Sequence, residues 1–236
     1  MVTPIKEFVS RPDGALPVHR WVPDNARAGV VLAQEIFGVS TFVRQRAADL
    51  AREGYVVDVP ELYFRLDDPV VADDDPDLLA RGMALMEATP WEQAVADLLA
   101  AVARLKSVLP RLASSNRLAL VGFCYGGGLA YAAAAEAEAG GDSPVDALVS
   151  YYGSALPHLL DRTVTAPSLH HFGTADAYIP PHEVERIQAH VEAGGAQFHL
   201  YEGAGHAFDN PLPAFHHPEA GQRAWARTRE FLAAHL

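Results

Sequence analysis

The chain has 236 residues, half of them hydrophobic and a fifth charged, enough to bury a sizeable core in a single α/β domain spanning residues 1–236. Its formal net charge of −12 repels phosphate backbones and anionic lipid, and no uncharged apolar run is long enough to span a bilayer, so nucleic acid and membrane are excluded as natural partners. One cysteine rules out an internal disulfide, and the start MVTPIKEFVSRPDG lacks the basic-then-apolar pattern of a secretion signal, so a reducing, cytoplasmic setting is expected.

Apolar, β-branched runs alternate with amphipathic stretches along the chain, the pattern of a mostly parallel sheet covered by helices on both faces. In chain order, strands are predicted at KEFVS (6–10), LPVHRWV (16–22) and AGVVLAQ (28–34), then a helix at FVRQRAADLAREG (42–54) and a strand at GYVVDVP (54–60). The first two strands adjoin without room for a crossover helix, so that end of the sheet is expected to be antiparallel. LDDPVVADDDPD (66–77) breaks the alternation; its acids and prolines read as a solvated loop rather than a lid. Helices follow at DLLARGMALMEA (77–88) and WEQAVADLLAAVARLKSVL (91–109), a strand at RLALVGF (117–123) and a helix at GGLAYAAAAEAEAG (127–140). The rest reads as strand ALVSYYG (147–153), strand PSLHHFG (167–173), helix HEVERIQAHVEAG (182–194), strand AQFHLYEG (196–203) and a closing helix at 221–236, whose Trp225 and Phe231 should pack on the sheet.

Cys124 falls at the turn between the strand RLALVGF and the following helix, within G-F-C-Y-G. In the pattern G-x-nucleophile-x-G, Gly122 and Gly126 relieve crowding in a sharp turn that leaves the middle residue strained and exposed at the carboxyl edge of the sheet. The amino end of the next helix faces the sulfur and favours its thiolate form. A single cysteine is otherwise most often a small buried hydrophobe, so the motif needs partners. They follow in the order that such sites use: Asp176 at the mouth of PSLHHFG and His206 in the glycine-flanked turn after AQFHLYEG. His206 would take the thiol proton, and Asp176 would fix the imidazole tautomer. Taken singly, Asp176 could cap the helix after Pro180, and His206 could be one of eleven surface histidines. His170, His171, His216 and His217 do not make a metal site: adjacent residues in a strand point to opposite faces, and no ligand spacing supports zinc.

With QEIFGV (34–39), PELYFR (60–65), GFCYGGG, YYG (151–153), GTADAYIP and YEGAGHAF in place, the chain resembles the dienelactone hydrolases, a cysteine-nucleophile branch of the α/β-hydrolase fold. The resemblance covers nearly the whole chain. It implies hydrolysis, without cofactor or metal, of a small cyclic enol ester, the dienelactone formed during chloroaromatic breakdown. It also implies that the backbone N–H groups of Ile36 and Tyr125 form an oxyanion hole, and that Glu35 holds the resting thiol of Cys124 in an inactive orientation until substrate displaces it. Phe37 would supply an apolar wall.

One departure stands out. Relatives hold the substrate carboxylate with two arginines, one of them four residues after the catalytic histidine, and here that position is Asn210. A neutral amide does not replace a bidentate guanidinium. Arg81 is a candidate for the other arginine, or simply an exposed helix charge. Three readings therefore stand: a dienelactone hydrolase, a carboxylesterase or thioesterase-like hydrolase of another small ester, and a non-catalytic binding protein on the same fold. The expected partner is a small ester or lactone; the oligomeric state is left open, a monomer included.

Overall fold

The computed structural model describes residues 2–141 and 144–236. Among them, one eight-stranded sheet runs in the spatial order β1-β2-β4-β3-β5-β6-β7-β8. Its strands are β1 (Ile5–Arg11), β2 (Gly14–Trp21), β3 (Ala28–Ala33), β4 (Tyr55–Pro60), β5 (Leu118–Phe123), β6 (Ala147–Tyr151), β7 (Ser168–Gly173) and β8 (Gln197–Tyr201). Six α-helices connect them: α1 (Thr41–Arg52), α2 (Leu78–Glu87), α3 (Trp91–Leu112), α4 (Tyr125–Ala139), α5 (Pro181–Ala193) and α6 (Pro218–His235). No helix among the described residues is long and apolar enough to cross a membrane.

β3 through β7 are buried at every residue, because helices cover both faces and leave no solvated side to alternate toward. The β1–β2 pair is antiparallel, as its short connection requires; β2–β4 is antiparallel too, and the other pairs are parallel. Where β2 meets β4, the Arg20 guanidinium donates two hydrogen bonds of 2.7 Å to the buried Asp58 carboxylate directly opposite, so neither charge is left unpaired.

Three boundaries depart from expectation for identifiable reasons. α3 runs on through Pro110, which forgoes one backbone hydrogen bond, and stops two residues later at Leu112. α6 starts at Pro218, three residues early, where proline suits the first helical position and the His217 ring accepts from the Ala220 N–H at 3.3 Å. Tyr152 leaves the strand, with φ 36°. The 66–77 segment is also more than a solvated loop: Asp67, Asp68, Asp73 and Asp74 face solvent, but Val71 is buried and its N–H donates to Phe37 O at 3.1 Å.

The chain moves leftward in the sheet from β3 to β4, then returns across β3 to β5, so the direction of winding reverses between β3 and β5. A crevice opens at the carboxyl ends of two strands whose connections leave in opposite directions. Glu35, Ile36 and Phe37 follow β3 there, and Cys124 follows β5. The turn at Cys124 is built by close backbone approach. A Cβ on Gly122 would lie 2.0 Å from Gly126 O, and a Cβ on Gly126 would lie 2.4 Å from both Ala33 O and Gln34 O at the end of β3. Cys124 itself holds φ 55° and ψ −119°, a region that non-glycine residues rarely occupy.

Gly122→Ala should therefore lower stability by about 3 kcal/mol, the upper range for forced overpacking, because backbone and not a flexible side chain occupies the space. A urea midpoint within error of wild type would contradict this account of the turn.

Candidate active site

Each strand end delivers one group. β5 and the turn after it present the Cys124 sulfur; the loop after β7 presents Asp176; the loop after β8 presents His206. The three meet. His206 Nε2 lies 3.0 Å from Cys124 Sγ, and His206 Nδ1 lies 2.7 Å from Asp176 Oδ2. Asp176 is held in turn by its other oxygen, which accepts from the N–H groups of Tyr178 at 2.8 Å and Ile179 at 3.2 Å. The same carboxylate thus shapes its own loop and orients the imidazole.

Two tyrosine rings flank the imidazole, Tyr152 at 4.9 Å and Tyr178 at 5.1 Å between centroids. The Tyr152 hydroxyl donates to the buried Asp209, and the Arg46 guanidinium on α1 donates to Asp209 Oδ2 at 3.3 Å and to its carbonyl at 3.1 Å. These groups anchor the loop that carries His206. Burial alone would discourage a charged imidazole; the Cys124 sulfur and the Asp176 carboxylate outweigh it and push His206 up to about 10.

Glu35 is buried on the cavity wall, with a different set of contacts from the one expected. Its carboxylate accepts from Ser40 Oγ at 3.0 Å and from Asn210 Nδ2 at 3.3 and 3.4 Å, while the thiol it was expected to restrain is already on His206. Desolvation raises Glu35 to about 7, against the pull of the Ser40 and Asn210 hydrogen bonds.

Asn210 and Arg81, the other candidate substrate-binding residues, are not among the residues that line the cavity. Asn210 is 1% exposed, its amide donating to Glu35 and its Oδ1 accepting from Leu212 N at 3.0 Å. Arg81 is exposed and paired with Asp75. The reason is helical phase: Leu79, Met83 and Met86 on α2 share the face that lines the cavity, and at about 100° per residue Arg81 falls on the far side. Phe37 does line the cavity, with Ile36, Phe215, Ala207, Ser154 and Tyr178. The enclosed space is about 240 Å³, suited to a small ligand. No other group among the described residues accepts a hydrogen bond from the Ile36 or Tyr125 N–H, and Tyr125 opens α4, where the first N–H groups have no helical partner.

Sequence reasoning missed Tyr152, Asp209, Arg46 and Ser40. Asp209 stands beside Asn210 and Tyr152 inside YYG, but nothing in spacing shows that a hydroxyl and a carboxylate far apart in sequence meet behind the histidine. His170 and His171 are buried in β7; His171 is hydrogen-bonded to Thr228 at 3.0 Å and Tyr201 at 2.9 Å.

A cysteine at a strand-turn-helix junction, with an aspartate and a histidine following in chain order on a mostly parallel eight-stranded sheet, has the arrangement of the α/β-hydrolase class. The sequence matches the profile of the Dienelactone hydrolase family over residues 17–236. It is 36% identical to carboxymethylenebutenolidase of Pseudomonas sp. strain P51, over 93% of this chain and 90% of that one. It is 35% identical to the carboxymethylenebutenolidase of Pseudomonas putida, over 86% of this chain and 84% of the relative. Among solved structures, a Klebsiella pneumoniae protein provisionally assigned as a dienelactone hydrolase superposes with a TM-score of 0.79 at 28% identity, covering 99% of both chains. The dienelactone hydrolase of Anabaena variabilis shares the fold at a TM-score of 0.71 and 21% identity, over 100% of this chain and 99% of that one. The chain belongs to the dienelactone hydrolase family and is a dienelactone hydrolase-like ester hydrolase acting on a small molecule.

The raised Glu35 makes a signed prediction. An acid whose folded pKa exceeds its unfolded value holds its proton more tightly in the native state, so the fold is favoured below about 4.5 and loses that advantage as pH rises to about 7. Glu35→Gln should match wild type in stability near the acid end and exceed it by about 3 kcal/mol at pH 8, from a shift of two to three units. Urea unfolding at both pH values tests this; a variant less stable than wild type at pH 8 would show that the ionised carboxylate is welcome there.

Proposed function

We propose that the protein opens a small ester or lactone through a thioester on Cys124, without cofactor. The observation that carries this reading is the unbroken Cys124–His206–Asp176 chain at the floor of an apolar cavity. The sulfur, paired with the His206 imidazolium, attacks the carbonyl carbon. Negative charge gathers on the carbonyl oxygen and is met by the Ile36 and Tyr125 N–H groups, whose free donors support that role. As the oxyanion collapses, the carbon–oxygen bond of the ester breaks and His206 gives its proton to the leaving oxygen. In a lactone that oxygen stays tethered to the acyl group. Water then attacks the thioester, His206 takes its proton, and the sulfur departs as thiolate, restoring the pair.

Asp176 stabilises the charged imidazole throughout and holds the Nδ1–H tautomer. Tyr152, through Asp209 and Arg46, acts on the position of the ring, not on the reacting atoms. The family relatives are named for a carboxymethylene-bearing butenolide, which makes that lactone the reference against which neutral esters are to be compared.

Cys124→Ala should lower kcat/KM for 4-nitrophenyl acetate by roughly 10⁴-fold or more, and rapid quenching of wild type should trap an acetyl group on Cys124 alone. Turnover that survives in Cys124→Ala, or an acyl group found on another side chain, would remove the thioester mechanism.

A further inference from the structure

We propose that this cavity selects uncharged, apolar acyl groups and discriminates against esters that carry a carboxylate. The inference deepens the hydrolase reading and rests on it. Phe37, Leu79, Met83, Met86, Tyr178 and Phe215 form most of the wall, and the apolar character continues to the mouth, where Leu79 is 43%, Met83 39% and Tyr178 60% exposed. Gly82 lets α2 approach this closely: a Cβ there would lie 2.8 Å from the Phe37 ring and 3.1 Å from Ile36. A surface of this kind is wasted on a charged ligand and rewards an alkyl or aryl one.

Charge points the same way. Besides the Tyr178 phenol, the ionisable groups at the cavity are Cys124, His206 and Glu35, with Asp176 behind the imidazole, and the one group among them that can carry a positive charge, His206, is already engaged by the sulfur and Asp176. The neighbouring arginines are engaged: Arg81 with Asp75, Arg46 with Asp209, and Arg44 with the Val39 carbonyl. Asn210 is neutral, and its amide is spent on Glu35 and Leu212. Asp73, on the acidic segment beside α2, acts on Glu35 as a like charge and adds to the negative field. A substrate carboxylate entering here would lose its water and find no cation, a penalty that only pairing or protonation relieves.

The test compares two esters of the same shape. 4-Nitrophenyl 4-methylpentanoate and 4-nitrophenyl hydrogen succinate share a leaving group and differ by an isopropyl end against a carboxylate. Wild type should favour the neutral ester in kcat/KM by roughly tenfold or more, the scale of one missing charge-assisted hydrogen bond. Met83→Arg, which puts a cation on the wall from a partly exposed position, should shrink that ratio by raising the anionic ester's kcat/KM. A wild-type ratio near one, or a preference for the succinate, would overturn the proposal.

A second readout does not depend on turnover. 4-Methylpentananilide should protect Cys124 from iodoacetamide at roughly tenfold lower concentration than succinanilic acid, its anionic counterpart. Equal protection would overturn the selectivity. If neither ester turned over while the neutral anilide still protected better, the hydrolase reading would fail and the cavity's preference would stand.

Discussion

The active site depends on one strained turn. Cys124 carries a side chain at φ 55°, and the turn that holds it there is fixed by glycines whose hydrogens take the place of atoms that would otherwise clash. Gly126 presses on the carbonyls at the end of β3, which ties the cysteine turn to the segment carrying Glu35, Ile36 and Phe37. The same contact therefore sets the distance between the nucleophile and the proposed oxyanion donors. Strain of this type costs on the order of 1–3 kcal/mol and persists because the buried strands on either side over-determine it. A rigid sheet edge holds the sulfur, and loops bring the acid and the base to it.

Burial then decides the electrostatics. Around His206, the Cys124 sulfur and the Asp176 carboxylate outweigh desolvation and push the imidazole up; around Glu35, two neutral hydrogen-bond donors do not outweigh it, and the acid is pushed up toward neutrality. Asn210 is central to that difference, because an amide can orient Glu35 but cannot neutralise it. An arginine in its place would hold Glu35 ionised. The amide at this position thus bears on both the glutamate's charge and the field that a ligand meets in the cavity. Behind the site, the Arg46–Asp209 pair is internally compensated, so it can brace Tyr152 and the histidine loop without leaving a free charge near the substrate.

Much of this was legible in the sequence. β3 and β5 announce themselves as short apolar runs, because a strand covered on both faces has no polar alternation to confuse it, while β4 and β7 bury Asp58 and His170 and His171 within theirs. Cys124, Asp176 and His206 could be singled out from their positions at strand ends, and the structure brings the three side chains together. What escaped was contact across long sequence separation. Arg81 and Asn210 could be placed on their elements, yet only the phase of α2 and the path after Ala207 show that one faces solvent beside Asp75 and the other faces Glu35. The resting hold of Glu35 on the thiol is implied by the resemblance alone; in this structure Ser40 and Asn210 occupy the carboxylate, and His206 occupies the sulfur. Val71 likewise looked like one residue of an acidic loop, and it is a buried anchor against the Phe37 turn.

The central claim is that Cys124, His206 and Asp176 act as one chain of charge. A proton NMR titration of the His206 imidazole measures it directly, with the other histidines assigned by substitution. In wild type the ring should remain protonated through neutral pH and titrate near 10, and in Cys124→Ala, with the sulfur gone, the titration should move down toward the ordinary histidine range. A wild-type His206 that titrates near the value of a free histidine, unmoved by loss of Cys124, would mean that the sulfur and the ring are neighbours without being a pair.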